Sequence, residues 1–199
     1  MGGVVPVDPV SGAMLRFTAA AIAARAVVEI GTGCGTSGIW LLRGMRAGSV
    51  LTSVDIEPEY QRLARAAFVR AGFASSRYRL ISGRALEVLP RLADGAYDLV
   101  FCDADRHEYA EYLSAALRLL RPGGVVAFDN ALPEAVAGDA TAGDALAGDA
   151  LAGDPAAGNP DDPEADAVLR LCEEIRADDR LVPLLLPLGG GLVAAVKRA

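Results

Sequence analysis

From residue 11 to residue 131 the chain alternates stretches of helical periodicity with short apolar runs, and that alternation leaves few folds open. It is the pattern of a mostly parallel sheet with crossover helices. The periodicity predicts a helix over Ser11 to Arg25, then a first strand from Ala26 to Ile30 and a helix over Ser37 to Arg46. A strand from Val50 to Val54 follows, then a helix from Pro58 to Ala71, a strand from Tyr78 to Ile81 and a short helix to Leu92. The fourth strand, Tyr97 to Cys102, precedes a helix ending near Leu120. Arg121-Pro122-Gly123-Gly124 then reads as a turn into a fifth strand, Val125 to Phe128. Each strand ends in small or acidic residues, and α/β sheets bind ligands outside the carboxyl ends of their strands.

The character of the chain changes after residue 133. Ala137 to Asp161 runs through five pentads rich in Ala, Gly and Asp, a low-complexity loop at about 134–161 with too few large apolar groups to offset its ordering entropy. Asp162-Pro163-Glu164 then opens a helix to Arg176, with proline suited to a first turn. Leu181 to Leu186 and Leu192 to Val196 pair as a closing hairpin around Gly189-Gly190-Gly191. The expected architecture is an α/β domain over all 199 residues: a seven-stranded, mostly parallel sheet, helices on both faces, and a C-terminal antiparallel hairpin.

Composition narrows the function classes. A hydrophobic fraction of 52% raises a membrane reading, but no stretch reaches the roughly 18 uninterrupted apolar residues of a spanning helix. The N-terminus has neither a basic start nor an apolar core, so a cytoplasmic protein is expected. A net charge of −7 disfavours broad contact with a phosphate backbone. Cys34, Cys102 and Cys172 have no CxxC spacing and read as free thiols rather than disulfides or zinc ligands.

Two groups of residues carry chemistry. The first is VEIGTGCGTSG, residues 28–38, where glycines in a strand-to-helix turn let a nucleotide-like ligand approach the backbone. Asp55, at the end of the second strand, is placed to accept hydrogen bonds from ribose hydroxyls, a role that serves NAD and S-adenosylmethionine alike. Glu29 interrupts an apolar strand and is costly to bury without a cationic or hydrogen-bonding partner. The second group is Asp103 and Asp105 after the fourth strand with Asp129 and Asn130 after the fifth. Neighbouring strands lie about 4.8 Å apart, so Asp103, Asp129 and the Asn130 carbonyl can converge on a hard cation such as Mg²⁺. The same aspartates would equally serve as caps of helices or loops.

With these residues in place the chain resembles the class I, Rossmann-like methyltransferases, and among them the cation-dependent O-methyltransferases related to caffeoyl-CoA and catechol O-methyltransferases. VEIGTGCGTSG, VDIEPEYQRLARAAF, ALEVLPRL, YDLVFCDAD, LLRPGGVVAFDN and LPLGGGLVAAVKR fall in family order from Val27 to Lys197. The resemblance implies that Glu29, Gly31, Thr32, Gly33 and Ser37 meet the methionine end of S-adenosylmethionine. It puts Asp55 on the ribose, Ala85 on the adenine and Asp105 on the cofactor amino group. Asp103, Asp129 and Asn130 would hold a divalent cation, Mg²⁺ by preference, which lowers the pKa of a hydroxyl on a small catechol-like or polyhydroxylated acceptor. A homodimer is the oligomeric state that relatives suggest.

The chain departs from that family at three places. Arg106 stands three residues after Asp103, where a lysine general base is common, and a guanidinium cannot take the proton. Arg106 would instead hold the oxyanion by charge, while the neighbouring His107, the only histidine, titrates in the useful range. The segment after Asn130 lacks the family's aromatic cover, and the region before the first strand is short. Other readings therefore stay open: an RNA or tRNA methyltransferase of the same fold, an NAD-dependent oxidoreductase, or a noncatalytic S-adenosylmethionine-binding protein.

Overall fold

The computed structural model describes residues 5–131, 163–187 and 190–199. The expected pentad loop and Gly189 of the closing turn lie outside the described residues. Seven strands are described: β1 (Ala26–Ile30), β2 (Val50–Asp55), β3 (Tyr78–Ser82), β4 (Tyr97–Cys102), β5 (Leu120–Phe128), β6 (Leu181–Leu186) and β7 (Leu192–Lys197). They form one sheet in the order β3-β2-β1-β4-β5-β7-β6. The first five pair in parallel, and β7 runs antiparallel to both β5 and β6. The order reverses at β1, whose ladders to β2 and β4 run side by side. The carboxyl ends of β2, β1, β4 and β5 therefore open on one edge of the sheet, which is where such folds bind ligands.

Among the described residues six α-helices flank the sheet: α1 (Pro9–Ala21), α2 (Thr36–Gly44), α3 (Pro58–Arg70), α4 (Ala85–Val88), α5 (Tyr109–Leu119) and α6 (Pro163–Ala177). Strand alternation sends Val27, Leu99 and Val125 to a core with α1, α2 and α3, and sends Val28, Val100 and Val126 to a core with α5 and α6. Both faces are thus covered, and this explains why the central strands β1, β4 and β5 are largely apolar. α1 lies close against α2, since a Cβ on Gly12 would sit 2.3 Å from Nε1 of Trp40. Among the described residues no helix is long and apolar enough to cross a membrane.

Two local expectations are corrected. The first helix starts earlier and stops sooner than its periodicity suggests. The Asp8 side chain caps its start by accepting from the amides of Val10 and Ser11, with Pro9 in the first turn, and Ala23 at φ +52° closes its end. Arg121-Pro122-Gly123-Gly124 is not a turn before β5 but an irregularity inside it. The register steps from Tyr97↔Leu120 to Leu99↔Val125, and Asp98 holds the bulge by accepting from Arg121 Nε at 2.6 Å.

Candidate active site

The loop after β1 is fixed by backbone contacts before any side chain is considered. Gly31 donates its amide to Val54 O at 2.9 Å, and Asp103 donates its amide to Ile30 O at 2.8 Å. These bonds press the β1 and β4 loops together. A Cβ on Gly31, at φ +91°, would lie 1.9 Å from the carbonyl oxygen of Asp103, so only glycine fits. Asp55 locks the same loop from the other side. Its Oδ2 accepts from the Thr32 and Gly33 amides at 2.8 and 2.9 Å, and its Oδ1 accepts from Glu57 N at 2.9 Å.

Beneath this loop lies a buried polar row. Glu29 is fully enclosed in β1, and Ser53 Oγ donates to its Oε2 at 2.5 Å. Thr32 Oγ1 lies 2.6 Å from Ser53 Oγ, and Gln61 Nε2 donates to Thr32 Oγ1 at 2.9 Å. Burial pushes the Glu29 carboxyl up to about 7, the hydroxyls of Ser37 and Ser53 hold it back, and the charges of Asp103 and Asp55 raise it further. Among the described residues the buried side-chain atoms without a hydrogen-bond partner are Glu29 Oε1 and Gln61 Oε1, both in this row.

The strand-end acids meet as the sheet order requires. Asn130, in the left-handed region at φ +51°, donates Nδ2 to Asp103 Oδ1 at 3.3 Å. Asp129 is buried. It accepts from Ser11 Oγ at 3.2 Å on Oδ1, while its backbone carbonyl accepts from the Tyr109 hydroxyl at 2.8 Å. Ser11 is itself tied to Asp8 Oδ2 at 2.7 Å. Burial and the nearby Asp129 charge push Asp103 up to about 6, against the pull of Asn130 and Arg106. Asp129 is raised as well, mainly by burial.

A cavity of about 560 Å³ opens over these residues. From the first group Gly31, Thr32, Gly33, Ser37 and Asp55 line it, and from the later loops Ala85, Asp103, Asp105 and Asn130 do. Glu29 lies one residue before the lining residue Ile30, and Asp129 lies one before Asn130. The remaining two expected residues stand outside the lining. Arg106 reaches Glu164 at the start of α6 with a 3.0 Å ion pair. His107 is exposed, and its amide is held by Asp105 Oδ1 at 3.0 Å. At the Ala85 end of the cavity, Arg84 pairs with Glu108 at 2.7 Å, and the Tyr112 hydroxyl donates to the other oxygen of Glu108 at 2.5 Å.

Sequence reasoning missed Ser11, Gln61, Glu108 and Tyr112. A signal existed for one of them, because Gln61 shares the buried face of α3 with Ala64 and Phe68 and is the polar member of that stripe. For the others only tertiary contact reveals the role.

The sheet order with its closing hairpin, and a cavity over the ends of β1, β2, β4 and β5, define the Rossmann-like methyltransferase class. The chain belongs to the O-methyltransferase family, whose profile matches residues 4–198. A protein of Mycobacterium sp. (strain JLS) named as an O-methyltransferase is 47% identical over 195 residues, covering 98% of this chain and 80% of that one. The O-methyltransferase of Bacillus cereus, solved in complex with S-adenosylhomocysteine (SAH), superposes with a TM-score of 0.78. It shares 28% identity over 96% of this chain and 82% of its own. TomG of Streptomyces achromogenes, an O-methyltransferase of tomaymycin synthesis solved with S-adenosylmethionine, gives 0.76 at 27% identity over 97% and 82%.

Proposed function

We propose that the chain transfers the methyl group of S-adenosylmethionine to a hydroxyl of a small catechol-like or polyhydroxylated acceptor, with a divalent cation held by Asp103, Asp129 and Asn130. The observation that carries this reading is the juxtaposition of a buried carboxylate, Asp129, and a half-buried one, Asp103, beside the cavity. Both are raised in pKa, and the nearest guanidinium, Arg106, is tied to Glu164. A pair of neighbouring carboxylates with the Asn130 carbonyl suits a hard cation and leaves its other positions to water and substrate. Among the described residues no three histidine, cysteine or acidic side chains gather, and Asn130, whose Nδ2 faces Asp103, would have to supply a carbonyl oxygen to complete the donor set. When bound, the cation supplies the positive charge that brings an acceptor hydroxyl's pKa toward neutrality.

The chain's own residues do the positioning. Asp105, in the lining, meets the donor's ammonium, Glu29 adds negative charge from its enclosed place beneath the cavity, and Asp55, whose Oδ1 accepts from only one amide, keeps lone pairs for ribose hydroxyls. Ala85 closes the adenine end with Gly83 and Arg84. The acceptor oxygen attacks the sulfonium methyl in line; the new C–O bond forms as the C–S bond breaks, and the thioether leaves. Holding both reactants in such a site is worth roughly 7 to 11 kcal/mol in favourable cases. Arg106 fills no base role, because a guanidinium is a hydrogen-bond donor with no acceptor and here it engages Glu164.

The test is a methyl-transfer assay on 3,4-dihydroxyphenyl acceptors with Mg²⁺ or with EDTA. Transfer is expected with Mg²⁺ and a loss of at least about 100-fold in EDTA. EDTA-insensitive transfer would remove the cation, and binding of the donor without transfer to catechols, diols or RNA would favour a noncatalytic role.

A further inference from the structure

The buried row under the glycine loop has a direction. Gln61 Nε2 faces the carbonyl oxygens of Ile81 at 3.1 Å and Ser53 at 3.4 Å as well as Thr32 Oγ1. Carbonyl oxygens only accept, so the amide nitrogen must point this way and cannot be exchanged with its oxygen. A hydroxyl carries one hydrogen. When Glu29 is ionised, Ser53 commits its own to Oε2, and the 2.6 Å contact between the hydroxyls is then Thr32 donating to Ser53. Thr32 Oγ1 is then free to accept from Gln61. The row therefore runs one way, from the Gln61 amide through two hydroxyls to one carboxylate oxygen, and leaves Glu29 Oε1 enclosed and without a partner.

We infer that Gln61 is a positioning residue for the methyl donor's amino-acid end, acting through Thr32 and Ser53 to hold Glu29 as a carboxylate whose negative charge, enclosed just beneath the cavity, attracts an ammonium group. The inference rests on the cofactor reading proposed above. Its physical basis is that hydrogen bonds polarise one another along such a row, so a donor three links away favours the ionised carboxylate. The opposing groups that face Glu29 are Asp55 and Asp103, whose charges favour its protonation. Thr32 also gives its amide to Asp55, so one residue ties the row to the acid assigned to the ribose. An amide in α3, outside the cavity lining, thereby sets how the site reads charge.

The experiment is calorimetric titration of the full chain with SAH and with its analogue lacking the α-amino group, between pH 6 and pH 8. The wild type, Gln61→Met and Ser53→Ala are compared. Wild-type protein is expected to prefer SAH. Gln61→Met should lose about tenfold in affinity for SAH and change less than about twofold for the deaminated analogue, as loss of support for one charged hydrogen bond implies. The pH at which SAH binding reaches half its full strength should move upward in the variant. Ser53→Ala breaks the same row at its last link and should give the same selective loss, which covers the case of a Gln61 variant that folds poorly. Equal losses for both ligands in the two variants, or none for either, would reduce the row to a structural brace and overturn the inference. A wild type that binds neither ligand would instead overturn the cofactor reading beneath it.

Discussion

Gly31→Ala is expected to abolish binding of the methyl donor and to lower stability by about 2 to 5 kcal/mol, measured by calorimetry with SAH and by denaturant unfolding. Two separate effects add. A left-handed backbone is unfavourable by roughly 1 to 2 kcal/mol for a residue with a Cβ, and overpacking adds about 1 to 3 kcal/mol. The second effect is unavoidable here, because the atom met at 1.9 Å is the backbone carbonyl of Asp103. Relief requires moving the β4 loop away from the β1 loop, and Asp103, Asp105 and the Asp55-anchored amides move with it. Gly48 is the control. It has φ +76° but nothing within 4 Å of an added Cβ, so Gly48→Ala should lose only the backbone contribution, about 1 to 2 kcal/mol, and bind normally. Similar behaviour of the two variants would mean that the β1–β4 contact does not organise the site.

Glu29→Gln separates binding from stability because the two should move in opposite directions. The wild-type carboxyl has a folded-state pKa of about 7 against an ordinary value of 4.5. Between those values the folded protein holds the extra proton and the unfolded chain does not, so wild-type stability falls as pH rises from about 4.5 to about 7 and then levels off. The loss is on the order of 3 kcal/mol for this enclosed group. Glutamine cannot ionise, so the variant should lack that fall and be the more stable protein at pH 8 without ligand. Its amide would accept from Ser53 through oxygen and would carry no negative charge to attract the donor's ammonium. Affinity for SAH is then expected to drop roughly 10- to 100-fold. A variant that is destabilised at pH 8 while binding SAH normally would contradict both halves.

How much of this was legible in the sequence depends on the range of the contacts involved. The strands β1 and β4 read at their true limits because apolar runs there stop at a glycine or an aspartate, a local signal. The adjacency of β4 and β5 followed from the strand order, and with it the approach of Asp103 to Asn130 and Asp129. The Arg121 to Gly124 segment misled because Pro-Gly-Gly signals a turn locally, whereas its ion pair to Asp98 and the ladder to β4 keep it inside a strand. Arg106 and His107 stood in a row of promising residues, yet one reaches α6 and the other faces solvent, and spacing alone does not show which way a side chain leaves a 3₁₀ turn. Asp55 was read as a ribose ligand. In the structure its bonds to Thr32 and Gly33 brace the loop, a task that no motif carries.

The most direct measurement is calorimetric titration of the chain with SAH, with NADH added as a competitor. One site per chain, unaffected by NADH, is the result this reading of the cavity predicts. No binding of SAH, or its displacement by NADH, would contradict it and return the glycine loop and Asp55 to a dinucleotide.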